Sequence, residues 1–215
     1  MSSDIRIRKG LDIQLEGKAE AITKVAPLSQ VYGLRPAEFH RVIPKLIARE
    51  GATVKAGDPV FYDKRDERVL FPSPVSGTIT EIIRGERRKI LEIRITPDAT
   101  QSFQNFGEKE VNALSPEQIK EHLLEAGAWP LIKQRPYDVI ASPDSQPKAI
   151  FISACKTNPL APDYDYVLKG KEKELQVALT ALSKLTTGKV HVSVFKDSSL
   201  SPFRSLKDIV LHNVS

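Results

Sequence analysis

Apolar and polar residues alternate most clearly in Thr78-Ile79-Thr80-Glu81-Ile82 and Ile90-Leu91-Glu92-Ile93-Arg94-Ile95, and a period of two predicts β-strands with one buried face. Pro59-Val60-Phe61 begins another strand, preceded by turn residues at Glu50-Gly51 and Ala56-Gly57-Asp58 around Val54. Ser73-Pro74-Val75-Ser76-Gly77 reads as a second turn. Near the N-terminus Ile5-Arg6-Ile7-Arg8-Lys9-Gly10-Leu11-Asp12-Ile13 alternates and turns at Gly10, and Ile22 to Pro27 reads as a further extended piece. Short strands at this spacing predict a small folded-over β-barrel or sandwich, closed by Ile90 to Ile95 and bounded at Pro97-Asp98-Ala99-Thr100.

Beyond that boundary the period lengthens. Ser115-Pro116-Glu117-Gln118 is a helix start in which Ser caps free N–H groups, Pro takes the first helical position and Gln118 completes a capping box. Ile119, Leu123 and Ala126 share one face, and Gly127 fits the end. Trp129-Pro130-Leu131 to Arg135-Pro136-Tyr137 then reads as an irregular segment holding the single Trp, which suggests either an inter-domain seam or a ligand contact. Ala149-Ile150-Phe151-Ile152-Ser153-Ala154 is a continuous apolar run, as for a strand buried on both faces. Leu175, Ala178, Leu179, Leu182 and Leu185 recur at helical spacing before Gly188, Val190 to Phe195 forms a second strand, and Ile209-Val210-Leu211 a third. Strand, crossover helix and strand imply a parallel β-α-β unit, half of a doubly wound sheet. The predicted class is therefore α+β: a carrier-like β domain over residues 1–98, a linking helix and inter-domain segment over 99–147, and a Rossmann-like α/β domain over 148–215 that is incomplete at its C-terminus.

Composition narrows the function. With 40% hydrophobic and 27% charged residues the chain is neither disordered nor membrane-spanning, since no apolar stretch approaches the roughly 18 to 20 residues that cross a bilayer. The N-terminus lacks an apolar signal region, so the expected location is the cytosol or the cytosolic face of a membrane. Cys155 is the single cysteine, which excludes an internal disulfide and an iron-sulfur cluster held by this chain alone. The mild net charge of +5 is scattered except at Arg84-Gly85-Glu86-Arg87-Arg88-Lys89, a patch that suits nucleic acid, anionic lipid headgroups or a solvated hairpin tip. No RNA-binding motif or helix-turn-helix pattern accompanies it, so nucleic acid is not an expected partner.

Ligands of such sheets sit beyond the carboxyl ends of the strands, here Ser153 to Asn158 and Phe195 to Ser199. Ala154-Cys155-Lys156-Thr157-Asn158-Pro159 has no glycine to let a pyrophosphate approach, which argues against NAD or FAD. Asp163 and Asp165 in the following loop read as solvated carboxylates, with a cation contact as the alternative. His40, His122, His191 and His212 have no metal-like spacing, and no nucleophile, base and oxyanion constellation appears. On the residues alone the chain binds or scaffolds, with no catalytic residue and no metal.

Two resemblances extend this reading. The stretch from Arg49 to Ile79 is similar to the core of lipoyl and biotinyl carrier domains, yet the position matching the modified lysine is Asp66, within Lys64-Arg65-Asp66-Glu67-Arg68. Lys64 is then a solvated hairpin lysine or, alternatively, a displaced modification site. Across the whole chain, Ile7-Arg8-Lys9-Gly10-Leu11-Asp12, Leu34-Arg35-Pro36, Phe71-Pro72-Ser73-Pro74-Val75-Ser76-Gly77, Gln134-Arg135-Pro136-Tyr137, Thr157-Asn158-Pro159-Leu160-Ala161 and Leu185-Thr186-Thr187-Gly188-Lys189-Val190 resemble the A-subunit family of the sodium-translocating NADH:quinone oxidoreductase. Members of that family are longer, so the resemblance implies an N-terminal portion. It also implies a barrel-sandwich hybrid followed by a partial Rossmann-like domain, in a peripheral subunit on the cytoplasmic side of the bacterial inner membrane. Its partners would be the other subunits of the reductase, which would carry the flavins and the iron-sulfur centre, and its ligand a quinone. Quinone contacts are expected from Tyr32, Leu34 and Arg35 in one turn and from Trp129, Arg135 and Tyr137 in the irregular segment: aromatic rings to stack, Arg to stabilise a reduced oxygen. The alternatives are a lipoyl- or biotinyl-like carrier using Lys64, or a pure scaffold module of an Rnf-type electron-transport complex with Arg84 to Lys89 at the contact.

Overall fold

The computed structural model describes residues 10, 13, 15–17, 19–198 and 201–214. The strand expected over residues 5–13 falls almost wholly outside them, and Ile22 to Pro27 carries no regular secondary structure. The chain divides into two compact units, one of Val25–Lys109 with Lys120–Ser145, the other of Glu110–Ile119 and Gln146–Ser215 with the N-terminal residues up to Lys24.

The first unit is antiparallel. One sheet runs in the order β1 (Tyr32–Leu34), β7 (Ile90–Pro97), β6 (Gly77–Arg84), β3 (Thr53–Val54). A second runs β2 (Pro44–Leu46), β4 (Pro59–Asp63), β5 (Asp66–Pro72), and a short hairpin pairs β8 (Lys133–Gln134) with β9 (Val139–Ile140). Alternation along these strands buries Val60, Phe61, Val69, Phe71, Ile79, Ile90, Ile93 and Ile95. Phe61 and Phe71 stack with centroids 4.4 Å apart, and Phe39 meets Phe71 edge-on at 4.6 Å. The two expected turns hold this barrel together by backbone bonds, Gly57 N–H to Ser73 O and Ser73 N–H to Asp58 O. Ser76, fully buried, receives Ser102 N–H on its hydroxyl, while the Gln101 amide bonds both its N–H and its C=O.

The β4–β5 hairpin turns at Lys64 and Arg65, so the tip lies two residues before the position that sequence comparison matches to a carrier lysine. Asp66 is already in strand β5, paired to Arg68 at 2.7 Å. Asp63 closes the hairpin from inside: 5% exposed, it accepts from Ile43 N–H, Arg65 N–H and the Arg65 guanidinium.

The second unit contains a three-stranded parallel sheet of β10 (Ile150–Ser153), β11 (Val190–Phe195) and β12 (Ile209–Val214), with α2 (Tyr164–Val167) and α3 (Glu172–Lys184) between the first two strands. Leu179 of α3 packs on Val190, Val192 and Val194, and Ile150, Ile152, Ile209 and Leu211 join the same cluster. The expectation that β10 is buried on both faces is corrected here. Phe151 is 75% exposed, because among the described residues the apolar cluster lies on one face of the sheet, and Phe151, His191 and His212 stack in a row on the other. Helix α1 (Pro116–Glu125) starts on the expected capping box, with Gln118 N–H bonded to Ser115 Oγ at 3.2 Å and Ser115 N–H to Gln118 Oε1 at 2.9 Å. Lys184, at the end of α3, donates from Nζ to three carbonyls of one turn, those of Val111, Asn112 and Leu114, at 2.8 to 2.9 Å.

Candidate functional site

A groove of about 450 Å³ on the barrel unit is lined by Val31, Gly33, Arg35, Glu38, Glu92 and Arg94. Strand register explains why these side chains converge. β1 pairs with β7 so that Gly33 faces Arg94, and β6 pairs with β7 so that Glu81 faces Arg94 from the other side. The second pairing depends on a β-bulge: Ile79 opposes Ile95, but the next matched pair is Glu81 with Arg94, leaving Thr80 as the extra residue. That bulge also absorbs the break in alternation at Thr80-Glu81, returning Ile82 opposite Ile93.

Glu92 is the centre of the array. Its carboxylate accepts from Arg35 Nε at 2.9 Å and from Arg94 Nε at 2.8 Å, and Arg94 reaches on to Glu81 at 2.9 Å. The Arg94 bond, then the Arg35 bond, holds the Glu92 carboxyl below the usual glutamate range, and Glu92 in turn raises Arg94. Glu92 therefore stays ionised at neutral pH and positions two guanidinium groups without serving as a general acid. Gly33 leaves the room this requires, since a Cβ there would lie 3.1 Å from the Glu92 carboxyl carbon. The terminal Nη2 groups of Arg35 and Arg94 have no partner among the described residues, so the array can donate to a carbonyl or oxyanion in the groove.

The six expected contact residues separate into two groups, both on the barrel unit. Arg35 lines the groove, whereas Tyr32 and Leu34 alternate with Gly33 and are half-buried towards the other face of β1. Trp129 is 4% exposed and donates Nε1–H to Ala141 O at 2.7 Å, so it supports the β8–β9 hairpin and has no free ring face to stack on a ligand. Arg135 and Tyr137 flank the tip of that hairpin; Tyr137 is 67% exposed, and Arg135 pairs with Asp138 at 3.5 Å. No hydrogen bond, ion pair or ring contact among the described residues joins the two groups. Glu92, Arg94 and Glu81 escape the sequence reading, although Glu92 and Arg94, two apart on an alternating strand, mark charges on one face.

In the second unit the carboxyl end of β11 is filled from within the chain. Arg204 donates to the carbonyls of Ser198, Phe195 and Lys196 at 2.6 to 3.2 Å, a plug no local pattern signals. The loop carboxylates are likewise engaged: Asp163 caps α2 through Asp165 N–H and Tyr166 N–H, and Asp165 accepts from the Ser198 hydroxyl. Neither is free for the cation contact that the sequence left as an alternative.

Comparison with known proteins agrees with this architecture. Residues 5–98 match the family described as the NqrA N-terminal barrel-sandwich hybrid domain, and residues 114–215 match the NqrA second alpha/beta domain. The chain is 38% identical over 190 residues to the NqrA protein of the Na(+)-translocating NADH-quinone reductase of Yersinia pseudotuberculosis, covering 87% of this chain and 42% of that protein. It is 39% identical over 191 residues to the same protein of Tolumonas auensis, covering 87% and 43%, and 36% identical over 220 residues to that of Haemophilus influenzae, covering 97% and 47%. The chain thus spans less than half the length of these curated relatives.

Proposed function

This chain belongs to the NqrA family, and from that premise we propose that it acts within a peripheral subunit of a bacterial sodium-pumping NADH:quinone reductase, supporting electron transfer to quinone. Its place would be the cytoplasmic side of the inner membrane, held by the other subunits of the complex. No helix among the described residues is long and apolar enough to cross a membrane. With Cys155 as its single thiol, the chain has too few soft ligands for a cluster, and the flavins and iron-sulfur centre are assigned to partner subunits.

Quinone binding is carried by one observation: Glu92 fixes Arg35 and Arg94 side by side in an accessible groove. A quinone carbonyl there would accept from a guanidinium, and negative charge developing on reduction would strengthen the bond. Tyr137 and Arg135, exposed on the β8–β9 hairpin, remain candidates for a second contact. In the assembled reductase, Arg35→Gln or Arg94→Gln should raise KM for a short-chain quinone roughly 5- to 10-fold, the loss of about one charge-assisted hydrogen bond. NADH oxidation with an artificial one-electron acceptor should be unchanged. An unaltered quinone KM in both variants would overturn the groove assignment.

The carrier reading retains one observation, the position of Lys64 at the exposed tip of the β4–β5 hairpin. Intact mass after co-expression with lipoyl or biotinyl ligase separates the two readings. An unshifted mass, the outcome expected if Lys64 is simply solvated, removes the carrier.

A further inference from the structure

At the end of the β6–β7 ribbon, Gly85 to Lys89 form a short turn around Glu86–Arg88. Arg84, Arg87, Arg88 and Lys89 are all exposed there with Glu86 as the single acid, so a net +3 of the chain's +5 sits on one hairpin tip. Elsewhere on the barrel the arginines meet carboxylates, as at Arg35, Arg65, Arg68 and Arg94. At the tip none does: the one side-chain bond from these four residues is Arg84 Nη1–H to Arg88 O at 3.3 Å. The backbone is strained to present them, with φ of 53° at Arg87 and 60° at Arg88, a left-handed pair that glycine would adopt without penalty. Leu91 packs over Gly85, where a Cβ would lie 3.1 Å from its Cδ1, yet it remains 42% exposed beside the cations.

We propose that this tip is a docking point for an anionic phospholipid surface. The tip protrudes and has no concavity to grip a single anion, and its cations are not fixed by partners, which suits a diffuse layer of headgroup phosphates. Leu91 adds one apolar side chain at the flank, too little for the apolar centre of a stable protein interface. The inference does not depend on the quinone assignment.

Vesicle co-sedimentation of the full chain tests it. With phosphatidylcholine vesicles containing about 30% phosphatidylglycerol at low salt, binding should exceed that to phosphatidylcholine alone, and each Arg or Lys at the tip should contribute roughly fivefold to partitioning. Raising salt from about 0.05 M to about 0.5 M should remove most of it. R84E/R87E/R88E should lose at least roughly a hundredfold, whereas the charge-matched K169E/K173E/K196E should lose far less. The double variant Arg87→Gly/Arg88→Gly separates binding from folding, because it relieves the left-handed strain and should unfold at equal or higher urea while binding roughly 25-fold less. Equal losses in the two triple variants would reduce the effect to net charge and overturn the proposal. Absence of vesicle binding at low salt would also overturn it and leave the tip to an acidic protein surface.

Discussion

Gly77 and Gly188 are required for close approach and not for flexibility. A Cβ on Gly77 would overlap the carbonyl oxygen of Thr96, and one on Gly188 that of Lys148, both backbone atoms that cannot swing aside. Gly77→Ala should therefore lower stability by about 2–4 kcal/mol in urea unfolding. Gly51 is the contrast: φ is 83° and nothing lies within 4 Å of its missing Cβ, so Gly51→Ala should cost only about 1 kcal/mol. Equal losses at the two sites would remove the steric argument. Gly77 was legible in sequence as a turn residue, but its reason for being glycine was not, because Thr96 lies a strand away. Arg35 was legible as a candidate and Trp129 as unusual. The ring of Trp129 was misplaced as a ligand platform, since Ala141, the acceptor that holds its Nε1–H, is identified only by the fold.

Elements add what residues cannot show singly. Arg68 holds Asp66 and Asp144 together, with Nη2 at 2.7 Å from each carboxylate, and ties β5 to the segment after β9. The Arg68 bond holds both carboxyls below the usual aspartate range. A carboxyl depressed in the folded state stabilises the fold above its unfolded pKa, and that contribution fades as pH falls through the folded value. Arg68→Gln should consequently be less stable than the parent at pH 7, with the gap in urea midpoint narrowing on acidification towards pH 3. A gap that stays constant would show that Arg68 acts through packing. The alternation of β7 and the capping box of α1 were fully readable, because each is a local code. The Thr80 bulge was not: two consecutive polar residues signal a break in pattern, and only pairing with Arg94 shows that the break aims Glu81 into the groove.

The whole molecule is assembled from segments that are not contiguous in sequence. Lys120–Ser145 belongs to the barrel unit, and Gln101 and Ser102 bond the buried Ser73-to-Gly77 turn from beyond β7. A fragment ending at Asp98 would leave the Ser76 N–H without its acceptor and Phe71 and its neighbours without the Trp129 segment. Such a fragment should give a poorly dispersed amide spectrum, and one extended to Ser145 a dispersed one; identical spectra would make the later segments dispensable. The two fold classes were evident from the switch between periods, since strand and helix spacing are written locally. The return of distant segments was not, and neither was Arg204 closing the carboxyl end of β11, because such partners are chosen by the fold.

Lys184 carries one more consequence. Three carbonyls of a single turn converge on its ammonium group as oxygens converge on a bound alkali ion, so the side chain functions as a tethered cation within a chelate of backbone oxygens. Cutting the tether with Lys184→Ala empties the chelate without destroying it, and millimolar ammonium or a short alkylamine supplied in the buffer should then restore part of the lost stability while leaving the parent chain unaffected.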